Sequence, residues 1–367
     1  MSRSTPPFRA DQVGSRLRSA AVKQARTRRA AGELDAAGLA AVEDAEIATL
    51  VARQEEIGLQ AVTDGEFRRS WWHYDFLSML TGVELVSVNQ GLQFKGAETK
   101  AEGLHVHGKI DWPVDHPMLR HFTWLKSVAR AVPKMTIPSP TALHYRGGRK
   151  AVEASAYPDM DGFFADLGAA YAKAIAAFGA AGCTYLQLDE VYVAYLCDPA
   201  QRQFLRDRGE DPDRLLDIYT DLVNAALKGR PAGMTISMHL CRGNFRSTWM
   251  AQGGYEPVAD TLFNRMGVDA WFMEYDSDRA GGFEPLRFLP RGKHAVLGLV
   301  TSKTGTLEAA DTLKRRIGEA AKFVDLDQLC LSPQCGFAST EEGNLLAETE
   351  QWAKLKLCVD VARDVWG

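Results

Sequence analysis

Short apolar runs of strand length recur along this chain with helical patterns between them, and that alternation leaves few architectures open. Eight runs qualify: 11–15 (DQVGS), 59–63 (LQAVT), 133–138 (PKMTIP), 184–189 (TYLQLD), 234–239 (MTISMH), 270–274 (AWFME), 295–300 (AVLGLV) and 328–332 (QLCLS). Several are almost continuously apolar, as parallel strands covered on both faces must be. Helical spacing joins them. Over 42–57, Ile47, Leu50, Val51 and Ile57 share one side, with Glu43, Arg53 and Glu55 pointing away; over 306–322, Ala310, Leu313, Ile317 and Ala321 repeat the pattern. Ser339 and Glu342 fit a capping box at the start of the last helix. Eight such units in 367 residues predict an α/β fold, a single (β/α)8 TIM barrel forming one domain over 1–367, with a long insertion after the second strand at 65–132. A doubly wound open sheet is the competing arrangement, but no Gly-rich dinucleotide turn follows the first strand and no Walker A sequence is present.

Composition narrows the class of partner. Lys+Arg 43 against Asp+Glu 47 leaves a net charge of -4, so no basic field argues for nucleic acid or a membrane surface. No apolar run approaches a bilayer span, and the first residues lack the apolar core of a secretory signal. The cluster Arg16, Arg18, Lys23, Arg26, Arg28 and Arg29 reads as a solvated first helix rather than a transit peptide. Six cysteines scattered through a long aliphatic chain predict reduced thiols and a cytoplasmic protein. Cys183, Cys330 and Cys358 sit in apolar surroundings and read as small buried hydrophobes.

Cys241 and Cys335 have different company. In Met238-His239-Leu240-Cys241, at the end of the fifth candidate strand, residues two apart project to the same side, so His239 and Cys241 can share a target. Imidazole nitrogen with thiolate sulfur suits zinc, although a packed His beside a buried Cys would look the same in sequence. Glu274 closes the sixth strand and Cys335 follows the eighth in SPQCGFAS. A barrel gathers all its strand C-terminal ends around one mouth, so these four potential ligands would converge there.

The chain resembles the catalytic C-terminal half of cobalamin-independent methionine synthase, and more closely the short single-barrel members of that family. The resemblance spans nearly the whole sequence and rests on VGS near the start, DGEF after the second strand, QLDE after the fourth, HLCRGN, the Glu of FMEYD, and SPQCGFAS. It implies a Zn2+ site of His239, Cys241, Glu274 and Cys335. It implies that Gly14 and Ser15 hold a homocysteine carboxylate, that Asp189 contacts the substrate amine, and that Glu66 stands at the mouth with Glu190 behind. The implied activity is methyl transfer to a thiol, homocysteine giving methionine, through a zinc-bound thiolate; a coordinated thiol ionises more readily and becomes the nucleophile. Glu274, the hardest of the four donors, is the one expected to yield to the substrate sulfur.

Two segments depart from the family pattern. Where its NDMVEYF segment offers a Glu to the amine, this chain has Ser70-Trp71-Trp72-His73-Tyr74-Asp75-Phe76, with Tyr74 opposite that Glu and Asp75 or His73 as nearby substitutes. Where its YDIHS segment offers a His as proton donor, Lys303 stands instead. Trp71, Trp72 and Tyr74 are candidates for an aromatic wall around a flat methyl donor, or for packing under a long loop. The donor classes open at this point are a folate, a methylcorrinoid protein and a small methylated compound. His144 is a candidate pocket residue, Arg146 and Arg149 with Gly147 and Gly148 a candidate anion-binding turn, and His105 with His107 a solvated hairpin pair. Two other functions compete: zinc-dependent alkylation of another thiol, of the epoxide-opening coenzyme M type, and a non-catalytic barrel stabilised by a structural zinc.

Overall fold

The computed structural model describes residues 3–89, 91, 93–94 and 97–367. Its strands in chain order are β1 (Ala61–Val62), β2 (Thr81–Ser87), β3 (Gln93–Phe94), β4 (Ala97–Glu98), β5 (Glu102–Asp111), β6 (Val132–Pro138), β7 (Tyr185–Glu190), β8 (Thr235–Leu240), β9 (Ala270–Glu274), β10 (His294–Val300) and β11 (Leu329–Pro333). Seven of them form one curled parallel sheet in the order β1-β6-β7-β8-β9-β10-β11. Seven of the eight expected strands are therefore present, within a residue or two of their predicted bounds.

The run at 11–15 is the exception, because side chains take the backbone groups that a ladder would use. Asp11 accepts from the amides of Phe8 and Gln12, Gln12 donates to the Ala61 carbonyl at 2.8 Å, and Thr63 donates to that of Gly14 at 2.7 Å. Only Ala10 bridges β11, in parallel with Leu331. Between β1 and β6, β2 and β5 pair antiparallel and β3 and β4 form a second small ribbon.

Strand alternation sorts the sheet into two faces. Leu186, Leu188, Trp271, Met273, Leu297 and Leu331 join the large core shared with the surrounding helices. The other face carries Tyr185, Phe272, Val296 and Cys330 at its lower end, packed with Phe8 and Val13. Fully enclosed there, Lys134 donates to Gln12 O at 2.5 Å and pairs with Asp11 at 3.3 Å. One layer up lie Thr136, Gln187, Ser237, Gly298 and Ser332, all on the same face by alternation and register.

Several local expectations change. The helix expected from 42 starts at Ala36, and Glu43 is buried, facing Arg68 at 3.4 Å and Arg26 at 3.9 Å. Arg16 and Arg18 are also buried, and only the later part of the basic cluster is solvated. They donate to carbonyls that no strand claims: Arg16 to Ser15 O, Arg18 to Arg16 O, Ala338 O and Arg69 O. The last helix begins at Glu348, not at Ser339, with Glu350 accepting from the Ala347 amide. Residues 339–341 instead pair with 70–72, through Trp72 N to Ser339 O and Glu341 N to Ser70 O. Helix Met160–Ala180 is, against expectation, long and apolar enough to match a bilayer by length and composition. It lies along helix Pro212–Leu227, burying Phe163, Leu167, Tyr171 and Ile175.

Candidate functional site

The upper layer of the inner face holds the chemistry. β7 ends in Asp189, β8 carries His239 and runs into Cys241, β9 ends in Glu274, and Cys335 lies two residues past β11. Asp189 is the register partner of His239, and Glu274 that of Gly298. His239 Nε2 lies 3.4 Å from Cys335 Sγ, and the two sulfurs of Cys241 and Cys335 are 3.5 Å apart with no disulfide between them. Among the described residues these three form a group whose donor atoms all fall within 4.8 Å of one another. Donors about 2.0–2.3 Å from a shared tetrahedral zinc would be separated by roughly 3.5–3.8 Å, so the spacing fits one ion.

Glu274 stands one step aside. Its carboxylate accepts from the Arg242 amide at 3.2 Å and pairs with the Arg279 guanidinium. Burial works against its ionisation, yet the charges of Lys303, Arg242 and Arg279 hold it down at about 2. The thiols are poised differently. A hydrogen bond from Cys241 and the charge of His239 keep Cys335 well below the usual thiol range, despite burial, while Cys335 pushes Cys241 upward. Burial opposes the imidazolium of His239, but Cys335, Asp189 and Glu274 raise it overall. His239 Nδ1 and Lys303 Nζ are both shut away from solvent without a hydrogen-bond partner.

A narrow cavity of about 40 Å³ opens onto this group, bordered by Ser15, Glu66, Asp189, His239, Cys241 and Cys335, with an aromatic side of Trp71, Trp72, Phe94 and Phe245. Gly14 sits behind it at φ 150, a conformation suited to glycine, and a Cβ there would come within 2.9 Å of Thr136 Cγ2. Ser15 is tied to the Cys335 loop, Phe337 donating to its carbonyl at 3.0 Å and Ala338 to its hydroxyl at 3.3 Å. Glu66, itself at φ 59, accepts from Thr136 at 3.1 Å and lies 3.8 Å from Arg69. Burial and the neighbouring Glu66 push Asp189 up to about 7.

The segment 70–76 divides its residues unexpectedly. Trp71 and Trp72 reach the narrow cavity, but Tyr74 faces a second cavity of about 400 Å³ beside it and donates to Glu102 O at 2.8 Å. Asp75 borders neither; it accepts from the amides of Ser70 and Trp71 at 3.0 and 2.7 Å, holding the turn that presents the tryptophans. Glu190 likewise accepts from the Tyr192 and Val193 amides at the start of the next helix. His144 borders neither cavity and meets the Tyr219 hydroxyl at 2.9 Å. His105 pairs with Glu84 on the hairpin and borders the second cavity, while His107 is exposed. Arg146 borders both cavities, whereas Arg149 donates to Val152 O. Sequence reasoning missed Arg242 and Arg279 as partners of Glu274. The Arg of HLCRGN was in plain view, but Arg279 lies in a loop with no period to mark it.

Residues 8–364 match the family model described as the catalytic domain of cobalamin-independent synthase. The Bacillus subtilis protein YxjH, described as uncharacterized, is 53% identical over 362 residues, covering 98% of this chain and 95% of that one. A Listeria monocytogenes structure, provisionally described as a vitamin-B12-independent methionine synthase, superposes with a TM-score of 0.79 at 42% identity over 100% of both chains. A B12-independent methionine synthase from Shewanella shares the fold at a TM-score of 0.67 and 18% identity, over 91% of this chain and 90% of that one. With the matched segment running through every donor and cavity residue just described, the chain belongs to the cobalamin-independent methionine synthase family, zinc-dependent methyltransferases, through its catalytic domain.

Proposed function

We propose that this chain transfers a methyl group to the sulfur of a small thiol, with homocysteine giving methionine as the leading pair. The reading rests above all on the His239, Cys241 and Cys335 donors at the spacing of one tetrahedral ion, with Glu274 ending the neighbouring strand. Zn2+ held by these four residues would favour the ionised, nucleophilic form of a substrate thiol. Glu274 is the donor with a second set of partners in reach, Arg242 and Arg279, which suits it to be the one that gives way.

The remaining roles belong to the chain itself. Ser15, placed by Gly14, binds the substrate carboxylate, and Asp189 with Glu66 receives the amine. An arriving ammonium would draw Asp189 back toward its ionised form. Lys303, buried with a free Nζ whose charge acts on Glu274 and both cysteines, supplies a proton or steadies negative charge during transfer. Trp71, Trp72, Phe94 and Phe245 exclude water and cover the donor, a folate-type or other small methylated compound. We take the segment 11–15 as the eighth stave of a (β/α)8 barrel, with 65–132 as the insertion after the second strand, 1–367 as one domain, and free thiols as suited to the cytoplasm.

Zinc-edge absorption on the purified protein, before and after adding homocysteine, tests the reading. A first shell that begins with two sulfurs and gains a third is expected. A shell that stays at two with homocysteine and with coenzyme M alike would sink it. Coenzyme M has its own support, because neither Tyr74 nor Asp75 reaches the narrow cavity where an amine-binding carboxylate was expected. Against it, Ser15 and Asp189 do reach it.

A further inference from the structure

Arg146 stands where the two cavities meet and borders both. It follows β6 and the short turn Pro140–Leu143, and its Nε donates to the Tyr192 hydroxyl at 2.9 Å. Its Nη1 is closed off from solvent with no acceptor, and no carboxylate among the described residues forms an ion pair with it. Sequestered guanidinium groups are ordinarily paired, because an uncompensated charge in a low-dielectric setting is unfavourable. In this chain Arg208 meets Glu210 and Arg279 meets Glu274, and the buried Arg16 and Arg18, which have no carboxylate partner among the described residues, spend donors on backbone carbonyls, whereas the Nε of Arg146 meets a phenol. Around Arg146 stand instead the phenols of Tyr74, Tyr192 and Tyr195. His73 adds to them, fully buried, with both ring nitrogens unpartnered and its imidazole held neutral by burial and by the Arg146 charge. Among the described residues, Lys150 and His105 are further basic side chains on the larger cavity, and its acid, Glu102, gives its backbone carbonyl to Tyr74. A positive charge without a carboxylate partner among the described residues, at the edge of a cavity roomier than the one at the thiols, is the arrangement of an anion site.

We infer that the second cavity receives the body of the co-substrate and that Arg146 binds an anionic group on it, a carboxylate, sulfonate or phosphate. The reacting end then points through the narrow cavity toward Cys241 and Cys335. The inference deepens the methyl-transfer reading by assigning the donor an acidic group and an apolar or flat body. Ser15 and Asp189 already serve the polar groups of the thiol, which leaves Arg146 to the other reactant. The planar fork of Arg suits an oxyanion bidentately, and the Tyr and His rings around it suit a flat body.

Calorimetry on the zinc-loaded full chain tests this with benzoate, benzenesulfonate, phenyl phosphate and uncharged benzamide as probes. The anions should bind at least tenfold more tightly than benzamide, and the rank among them identifies the anionic group. Arg146→Gln should abolish that preference and Arg146→Lys should retain part of it. Benzamide binding as tightly as the anions, no binding by any probe, or an unchanged preference in Arg146→Gln would each overturn the inference. The wild-type comparison and Arg146→Lys decide the matter if Arg146→Gln does not fold. Zinc-edge spectra of the same samples keep the two readings apart. Anion binding at Arg146 without a thiol response supports the anion site while removing the methyltransferase reading, and the reverse result does the opposite.

Discussion

Replacing Gly298 by alanine sets two effects of opposite sign against each other at the heart of the site. Gly298 lies inside β10 without a positive φ, between Glu274 on β9 and Ser332 on β11. In that backbone conformation alanine alone would stabilise by about 0.4–1 kcal/mol, by restricting the unfolded chain. The contacts point the other way. A Cβ there would stand 2.7 Å from the Gln334 Cα and 2.7 Å from the Met273 carbonyl oxygen, both backbone atoms. Ordinary contact begins near 3.5 Å, so about 0.8 Å must open toward two strands at once. Overpacking of this kind costs about 1–3 kcal/mol. Contact should win, leaving a net loss of about 1–2 kcal/mol, and the Gln334 movement should carry Cys335 with it and weaken zinc binding. Denaturant unfolding and competition with a zinc chelator read the two parts separately. Gly318→Ala is the control, since Gly318 lies exposed on helix Ala310–Ala320 with nothing within 4 Å of its added carbon. It should gain about 0.8–1 kcal/mol. Gly298→Ala as stable as the parent, with unchanged zinc affinity, would refute the reasoning.

Two further outcomes follow from groups buried at the mouth and in the shell around it. Burial lowers His116 to about 4, and lowers His144 to about 3 and His73 well below the usual range. The unfolded chain then binds more protons than the folded one between pH 6.5 and about 4, so stability falls as pH drops through that window. The raised carboxyl of Asp189 works in the opposite sense over the same window, so the comparison is with a variant: between pH 7 and pH 5 the denaturant midpoint of the parent should fall relative to that of His144→Gln, and parallel pH profiles for the two would count against a neutral buried imidazole at 144. Lys303→Met should lower turnover by about 10²–10⁴ while zinc content and the thiol-induced edge change persist. Normal turnover in that variant would remove Lys303 from the chemistry.

What the sequence made legible followed from regular periods. Strand alternation placed His239 and Cys241 on one side, and the shared end of the parallel strands gathered Asp189, Glu274 and Cys335 beside them. Irregular segments were opaque, because their geometry is fixed by partners far away in the chain. Asp75 reads as a spare carboxylate until the amides of Ser70 and Trp71 are seen to occupy it. Arg16 and Arg18 read as solvated charge until the carbonyls of 338 and 69 converge on Arg18. Ser339 lost its capping role for the same reason, since the backbone of 339–341 is engaged by 70–72.

The difference between Glu274 and the other three donors is electrostatic. Among the described residues His239 Nδ1 has no hydrogen-bond partner, and the two cysteine sulfurs meet each other and, through Cys335, His239. Any of these three leaving the group would strand a buried polar atom or a thiolate in a poorly polarisable interior, which is strongly unfavourable. Glu274 faces no such penalty. Three cations, Lys303, Arg242 and Arg279, keep it ionised; the Arg279 guanidinium bonds the carboxylate directly, and the Arg242 backbone amide donates to it as well. Its charge is compensated whether it points at the sulfurs or at the arginines. On the proposed reading, a donor set with three members held in place and one free to change partners would admit a substrate sulfur without leaving a buried charge unpaired.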